Sequence, residues 1–538
     1  MYESPTVHHV TYDLLRRLGL TTVFGNPGST ELAFLRDFPD DFSYVLALQE
    51  ASVVAIADGY TQASGRPALV NLHTAAGMGN AMGSLVASYK ANTPMIVTAG
   101  NQTREMLLGE PYLANSEELV LPRPWVKWAY QPVRAQDVPA AFMRAYAVAM
   151  QPPRGPVFLS IPLDDWDKPA LGPAAVRSVS ARVAPDPDRL REFSERISSA
   201  KNPLLVLGPE VDRDDGWEAG IAFAEKLKAP VYSACLPDRI SFPETHPLAR
   251  GPLPMTMAGV SETLRGYDLV IVIGAQVFRY YPYVAGDYVP EGTEVLQITA
   301  DPHLSAIAPV GDSLIGSVRT ALEQLVELIG VPPDRGDPAT ARRPRATAVE
   351  PAAAPLTGDQ VYQVIGSVRP EGSALVSEST STLTDQLKWC PTSHTGSFFC
   401  TPSGGIGWGL PAAVGVALGD RAGGVKRHVV ATIGDGSFQY SVQALWTAAQ
   451  HNLPIVFIAL RNGEYAILKS FAVLEKTPHV PGMELPGLNI EALGAGFGLR
   501  SVTVDSTESL ASEFEAALNA DGPTVIVVPT QSEMLFPT

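Results

Sequence analysis

The chain is poor in cysteine: three in 538 residues, Cys235, Cys390 and Cys400, with no C-x-x-C pair. So sparse a set excludes a disulfide framework and a thiolate metal site, and fits a reducing compartment, the cytoplasm. Basic charge is also short, with 39 Lys and Arg against 56 Asp and Glu for a net −17, and no basic stripe stands out. That balance argues against nucleic acid as a partner. No run approaches about 18 uninterrupted apolar residues. The opening residues also lack the basic start, apolar stretch and small-residue cleavage site of an export signal. Neither membrane spanning nor export is expected.

What the chain does have is length for several domains and, at 46% hydrophobic and 18% charged, enough apolar side chain for large cores. Short β-branched runs alternate with segments of helical period, the pattern of parallel sheets covered by helices on both faces. The class expected is α/β, with three doubly wound parallel-sheet domains over 1–180, 186–335 and 356–538. Strands are expected at 21–24, 45–48, 68–72, 95–99 and 157–161, with helices at 51–63 and 80–91 between them. A middle set falls at 204–207, 231–233, 269–273 and 295–298, and a third runs from Ala374 through 428–433 and 455–460 to 524–528. Segments 164–188 and 331–358, rich in Pro, Ala and charge without periodicity, read as linkers.

The outer two domains look like diverged copies of one unit. Gly155-Pro156 opens a closing strand as Gly522-Pro523 does, and the helix, Asn, Pro and buried strand from Leu85 are repeated from Leu445. Each copy then carries a strand-end loop in the same place, 73–77 and 434–437. Open α/β sheets bind ligands beyond the carboxyl ends of their strands, so both loops are candidate sites.

The strongest chemical signal is Gly434-Asp435-Gly436-Ser437, preceded by a strand and followed by a helix at 439–451 and a return strand ending at Asn462-Gly463-Glu464. In such a βαβ unit the two strands lie side by side, so Asp435 and Asn462 become neighbours. A carboxylate, an amide oxygen and a main-chain carbonyl near Glu464 are hard ligands suited to Mg²⁺ or Ca²⁺. The N–H groups of Gly436 and Ser437, at a helix start, favour an anion. The combination reads as a metal-bound diphosphate, and no G-x-x-x-x-G-K-[ST] loop offers an ordinary nucleotide site instead.

This G-D-G with N-G following resembles the cofactor motif of thiamine diphosphate (ThDP) enzymes, and the three-domain plan is similar over nearly the whole chain. Within them, the runs Gly25-Asn26-Pro27-Gly28-Ser29, Gln49-Glu50-Ala51, Asn71-Leu72-His73, Leu121-Pro122-Arg123-Pro124, Phe278-Arg279-Tyr280 and Glu378-Ser379-Thr380-Ser381 resemble the benzoylformate decarboxylases. Acetohydroxyacid synthases and pyruvate decarboxylases are more distant. The resemblance implies that Glu50 binds the aminopyrimidine N1′, and that the Gly404 carbonyl meets its amine. It makes Ile406 the wedge that bends the cofactor, and Ser379, Thr380, Gly434, Asp435, Gly436, Ser437, Asn462 and Tyr465 its other contacts. Ser29 would orient the carboxylate of a 2-keto acid and His73 would pass a proton. In the family Glu50 reaches a cofactor whose diphosphate another subunit holds, which implies a dimer or tetramer with sites at the subunit interface.

The chain departs from that pattern in places. Tyr281 stands where a second histidine is expected. A phenol donates a hydrogen bond but is a poor proton relay at neutral pH. Beside Leu468 and Phe471, which by position line the substrate pocket, Ile467 replaces a smaller residue and would narrow it. The expected activity is decarboxylation of benzoylformate with carboligation as a side activity. The alternatives are an aliphatic 2-keto acid as substrate, a dedicated carboligase, or a catalytically silent ThDP-binding protein. The other histidines lack metal-ligand spacing, and the middle domain has no dinucleotide fingerprint, so it reads as scaffold.

Overall fold

The computed structural model describes residues 5–330, 347–477 and 479–533; most of the second expected linker, 331–346, lies outside the described residues. Three parallel sheets of six strands form the framework. The first holds β1 (Thr22–Gly25), β2 (Ser43–Leu46), β3 (Ala68–Leu72), β4 (Met95–Asn101), β5 (Ala129–Tyr130) and β6 (Pro156–Pro162). The second holds β7 (Pro203–Leu207), β8 (Val231–Ser233), β9 (Ala249–Pro252), β10 (Leu269–Ile273), β11 (Glu294–Thr299) and β12 (Asp312–Ile315). The third holds β13 (Ala374–Glu378), β14 (Phe398–Cys400), β15 (Val429–Gly434), β16 (Ile455–Arg461), β17 (Arg500–Thr503) and β18 (Thr524–Pro529). By compactness the first sheet and all of the third but β14 fall in one unit (1–180, 350–383 and 403–538), and the second sheet with β14 in another (181–349 and 384–402).

The strand orders bear on the suspected duplication. The first sheet runs β2-β1-β3-β4-β6-β5 and the third β14-β13-β15-β16-β18-β17, the same order counted from each sheet's first strand. The paired sequence patterns fall on equivalent strands, β6 with β18 and β4 with β16, and the loops at 73–77 and 434–437 both follow the third strand. The middle sheet differs, running β12-β11-β10-β7-β8-β9, the order of dinucleotide-binding sheets. Its switch point, between β7 and β10, is closed by its own loops: a Cβ at Gly208 would fall 2.4 Å from the Gly274 carbonyl oxygen. Half-buried Glu210 there accepts from Thr299 Oγ1 at 2.7 Å and the Ala300 N–H at 2.8 Å.

Central strands are buried on both faces and read as continuous apolar runs, which is why they are legible in sequence. The unexpected strands, β5, β9, β12, β14 and β17, are edges or next to edges and only two to four residues long. The helix expected at 80–91 begins instead at Thr74 (Thr74–Lys90), because burial of Thr74, Gly77 and Met78 outweighs the low propensity of Gly77 and Gly79. The helix expected at 439–451 is two, Asp435–Tyr440 and Ala444–Gln450. Ser441 (φ −143°) interrupts it, its hydroxyl donating to the Gly407 carbonyl.

Two helices carry most of the packing in the first unit, Glu50–Ser64 and Gly409–Gly423. They approach so closely that a Cβ on Gly59 would lie 2.2 Å from the Ala412 carbonyl oxygen. Buried Asp58 accepts from the Trp408 indole at 2.9 Å, Thr93 at 2.6 Å, Gln62 at 2.9 Å and Ser88 at 3.1 Å. Among the described residues no helix is long and apolar enough to cross a membrane.

A second buried carboxylate, Glu118, sits by the ends of β4 and β6, where Asn101 Nδ2 (2.6 Å) and the Ser160 hydroxyl donate to it. Burial pushes its carboxyl up to about 7. The native chain thus holds a proton that the unfolded chain releases above about pH 4.5, so this group's stabilising contribution is lost as pH rises towards 7. In urea titrations at pH 5 and pH 8, Glu118→Gln is expected to remove up to about 3 kcal/mol of the fall in unfolding free energy. An unchanged difference between the two pH values would contradict the assignment.

Candidate functional site

Polar side chains gather at the carboxyl ends of the first sheet's neighbouring strands β1 and β3, whose connections leave in opposite directions. Crevices form at such switch points. Glu50 opens the helix Glu50–Ser64, capped by Gln49, whose side chain accepts from the Ser52 N–H at 3.1 Å. The Glu50 carboxylate is 8% exposed. Asn26 Nδ2 donates to its Oε1 and Asn80 Nδ2 to its Oε2, each at 3.0 Å. One amide comes from the loop after β1 and the other from the helix Thr74–Lys90, so the carboxylate is aimed from two sides.

His73 follows β3 directly. Its Nδ1 stands 2.9 Å from Glu31 Oε2 and 3.2 Å from Thr30 Oγ1. Glu31 is 1% exposed and also accepts from the Gly28 N–H (3.0 Å), the Gly100 N–H (2.9 Å) and the Thr30 hydroxyl (2.8 Å). A buried carboxylate so held fixes the proton on Nδ1 and leaves Nε2 as the nitrogen able to exchange protons with a ligand. The N-P-G-S loop lies directly over the ring: a Cβ at Gly28 would fall 2.1 Å from His73 Nδ1, so only glycine fits. Thr74 next to it has φ +42°, a conformation costing a non-glycine residue of order 1 kcal/mol or more, and such strain gathers at functional sites. Ser29 is exposed in the same loop and does not cap the short helix Leu32–Leu35.

The second cluster lies at the ends of β15 and β16. Asp435 is 2% exposed and joins the two loops: its Oδ2 accepts the Gly463 N–H at 2.7 Å and its Oδ1 the Gly436 N–H at 2.8 Å. Burial holds its carboxyl above the usual range, opposed by these N–H groups and that of Asn462. The neighbourhood of Asp435 and Asn462 is therefore as the βαβ argument requires. The anion role given to Gly436 needs correction, because its N–H is taken by Asp435; the Ser437 N–H, in the first turn, has no intrahelical partner. At Glu464 the main-chain carbonyl expected as a ligand is left available. Its side chain turns to Lys469 and Ser532 and its N–H goes to Asn462 Oδ1 at 3.1 Å, so it offers a cation only its main-chain carbonyl. Among the described residues no group of three or more His, Cys, Asp or Glu could hold a metal ion. A cation here would rest on Asp435, Asn462 and main-chain oxygen, hard ligands that suit Mg²⁺ or Ca²⁺.

Around this cluster, the Tyr465 ring covers Gly436, where a Cβ would fall 2.4 Å from Cε1. Ser379 is buried and hydrogen-bonds Thr382 at 2.8 Å, while Thr380 is exposed. Gly404 is exposed with φ +73°, and Ile406 is half-buried before the helix Gly409–Gly423. Ile467 and Phe471, one helical turn apart in Ala466–Leu474, share a face flanked by exposed Leu468, with Lys469 held by Glu464 and Glu484. Tyr281 lies in the other compact unit, 55% exposed, its N–H on the Met255 carbonyl at 2.8 Å.

Sequence reading missed Asn26, Asn80 and Glu31 as site residues. Asn26 sits inside the quoted loop motif and Glu31 directly after Ser29-Thr30, so an acidic residue beside a loop facing a strand-end histidine was the available signal. Asn80 had none, since its helix was expected to start there.

Three family models match the chain: Thiamine pyrophosphate enzyme, N-terminal TPP binding domain over residues 5–118, its central domain over 190–325, and its C-terminal TPP binding domain over 380–528. The benzoylformate decarboxylase of Pseudomonas aeruginosa is 46% identical over 530 residues, 98% of this chain and 99% of that protein. The crystal structure of benzoylformate decarboxylase from Polynucleobacter necessarius has 49% identity and a TM-score of 0.97, covering 99% of this chain and 100% of that one. A provisionally identified thiamin diphosphate-dependent enzyme from Mycobacterium smegmatis has 67% identity and a TM-score of 0.95, covering 98% and 100%.

Proposed function

This chain belongs to the thiamine pyrophosphate enzymes, and on that premise we propose that it is a ThDP- and Mg²⁺-dependent carboxy-lyase converting benzoylformate to benzaldehyde and CO₂. The observation that carries the reading is the end-to-end 46% identity to a benzoylformate decarboxylase. Ser29, Glu50 and His73 stand together at one sheet edge of this chain in its support. When bound, ThDP would supply the electron sink that loss of CO₂ from a 2-keto acid requires.

The chain's residues supply the rest. Glu50, oriented by Asn26 and Asn80, would hold the aminopyrimidine N1′ and exchange a proton with it. Gly404 would accept from the pyrimidine amine and Ile406 would pack against the cofactor. Asp435 and Asn462 would hold Mg²⁺, and Ser379, Thr380, Ser437 and Tyr465 would hold the diphosphate end of the cofactor. Ser29 donates to the substrate carboxylate, and His73, its Nδ1 fixed by Glu31, delivers the proton that ends the cycle. Ile467, Leu468 and Phe471 shape the pocket, and Tyr281 stands in the chain where the family resemblance expects a second histidine. The working form is a dimer or tetramer in the cytoplasm, with Glu50 acting across the subunit interface.

A second reading, carboligation, is favoured by Tyr281 in place of a relay histidine, since a slow proton delivery leaves time for an aldehyde to be captured instead. Benzoylformate, pyruvate and a branched aliphatic 2-keto acid, each with and without added benzaldehyde, separate the readings. Free benzaldehyde as the main product from benzoylformate is expected. Acyloin as the main product, or turnover of the aliphatic acids alone, would overturn the proposal.

A further inference from the structure

We propose that Glu378 is a positioning residue that sets where Gly404 and Ile406 stand. The proposal rests on the cofactor reading above. Glu378 ends β13, is 3% exposed, and among the described residues its carboxylate meets only main-chain N–H groups. Oε1 accepts from Gly407 and from Trp408 (3.3 Å), and Oε2 from Gly409. These three N–H groups open the helix Gly409–Gly423 and have no partners within it. A carboxylate matches both the empty donors and the positive end of the helix.

Other fastenings act on the same short stretch. The Ser441 hydroxyl holds the Gly407 carbonyl, and buried Asp58 holds the Trp408 indole at 2.9 Å. Gly407 has φ +102°, and a Cβ there would fall 2.6 Å from Tyr440 Cβ. By contrast Gly404 and Gly405, just upstream, are exposed. The chain is thus pinned at 407–409, while the exposed stretch at 404–405 carries a local bond from the Gly405 N–H to the Ser403 hydroxyl (3.2 Å), so what fixes the pinned end sets the direction in which that stretch leaves. Glu378 supplies three of those fastenings with one side chain. Burial pushes its carboxyl up to about 7, and the N–H groups of Gly409, Gly407 and Trp408 oppose that rise. Both of its oxygens are engaged by main chain, which makes it a support for the turn and not a partner of substrate.

The test compares Glu378→Gln and Glu378→Asp with Asp420→Asn, which loosens the far end of the same helix by weakening the Arg427 pair (2.7 and 2.9 Å). Three quantities are measured: the thermal midpoint of the apoprotein, ThDP affinity from tryptophan fluorescence with Mg²⁺ present, and deuterium exchange at C2 of bound ThDP by NMR after acid quench. Glu378→Gln and Glu378→Asp are expected to slow C2 exchange at saturating ThDP by about tenfold or more. Asp420→Asn is expected to lower the midpoint while exchange stays native. Should the Gln variant fail to fold, the Asp variant decides, since it keeps the charge and only withdraws it by one methylene. Native exchange in the Glu378 variants, or equal slowing in Asp420→Asn, would overturn the proposal. Undiminished ThDP affinity in Asp435→Asn would overturn instead the cofactor reading beneath it.

Discussion

Replacing Glu50 with glutamine is expected to lower kcat about a thousandfold, the scale of a lost general acid–base contribution, while the fold survives. Both oxygens of Glu50 accept amide hydrogen bonds, from Asn26 and from Asn80. A glutamine has one acceptor oxygen, so its NH₂ must face one of those amide donors. That mismatch costs about 1–3 kcal/mol in a buried setting and turns the side chain as well as neutralising it. Loss of function then has two parts, charge and aim, and they separate experimentally. Asn26→Ala and Asn80→Ala keep the charge and remove one aiming bond each, so each is expected to lower kcat by about tenfold. Turnover by Glu50→Gln within a factor of a few of native would contradict the role given to this carboxylate.

The second large effect is expected at the His73–Glu31 pair. His73→Ala is expected to lower kcat by about a hundredfold or more, and Glu31→Gln by a similar factor, with smaller changes in KM. Glu31 accepts four hydrogen bonds, from the Gly28 and Gly100 N–H groups, the Thr30 hydroxyl and His73. Glutamine cannot accept all four, so the N-P-G-S loop and the imidazole lose their common anchor together. Because Glu31 acts through His73, the two changes are non-additive: Glu31→Gln in the His73→Ala background costs little further kcat. Full additivity in that double-mutant cycle would assign Glu31 to loop packing alone.

The parts of the molecule that were legible in sequence are those dictated by local physics. β10 falls where its apolar run places it, because a strand buried on both faces carries no polar interruption to blur its limits. The Asp435 and Asn462 loops meet as adjacent parallel strands require. The repeated order of the outer sheets was visible as paired Gly-Pro and Asn-x-Pro patterns before any strand was placed. What could not be read depends on contacts distant in sequence. The break at Ser441 exists because Gly407, 34 residues away, takes its hydroxyl. The burial that lets a glycine-containing segment start a helix at Thr74 is likewise tertiary. Glu31 and Glu378 look like ordinary acidic residues until the fold surrounds them with donors. A carboxylate's partners, and not its sequence neighbours, decide whether it is solvated surface or structural anchor.

The central claim, that the chain needs both ThDP and a divalent cation to release benzaldehyde from benzoylformate, is tested by reconstitution. Protein stripped of metal and cofactor is assayed by coupled aldehyde reduction with ThDP alone, Mg²⁺ alone, and both. Benzaldehyde formation only with both additions, abolished in Asp435→Asn at the same concentrations, is the predicted result. Benzaldehyde released without either addition, or no turnover of benzoylformate by protein that has bound both, would contradict the account.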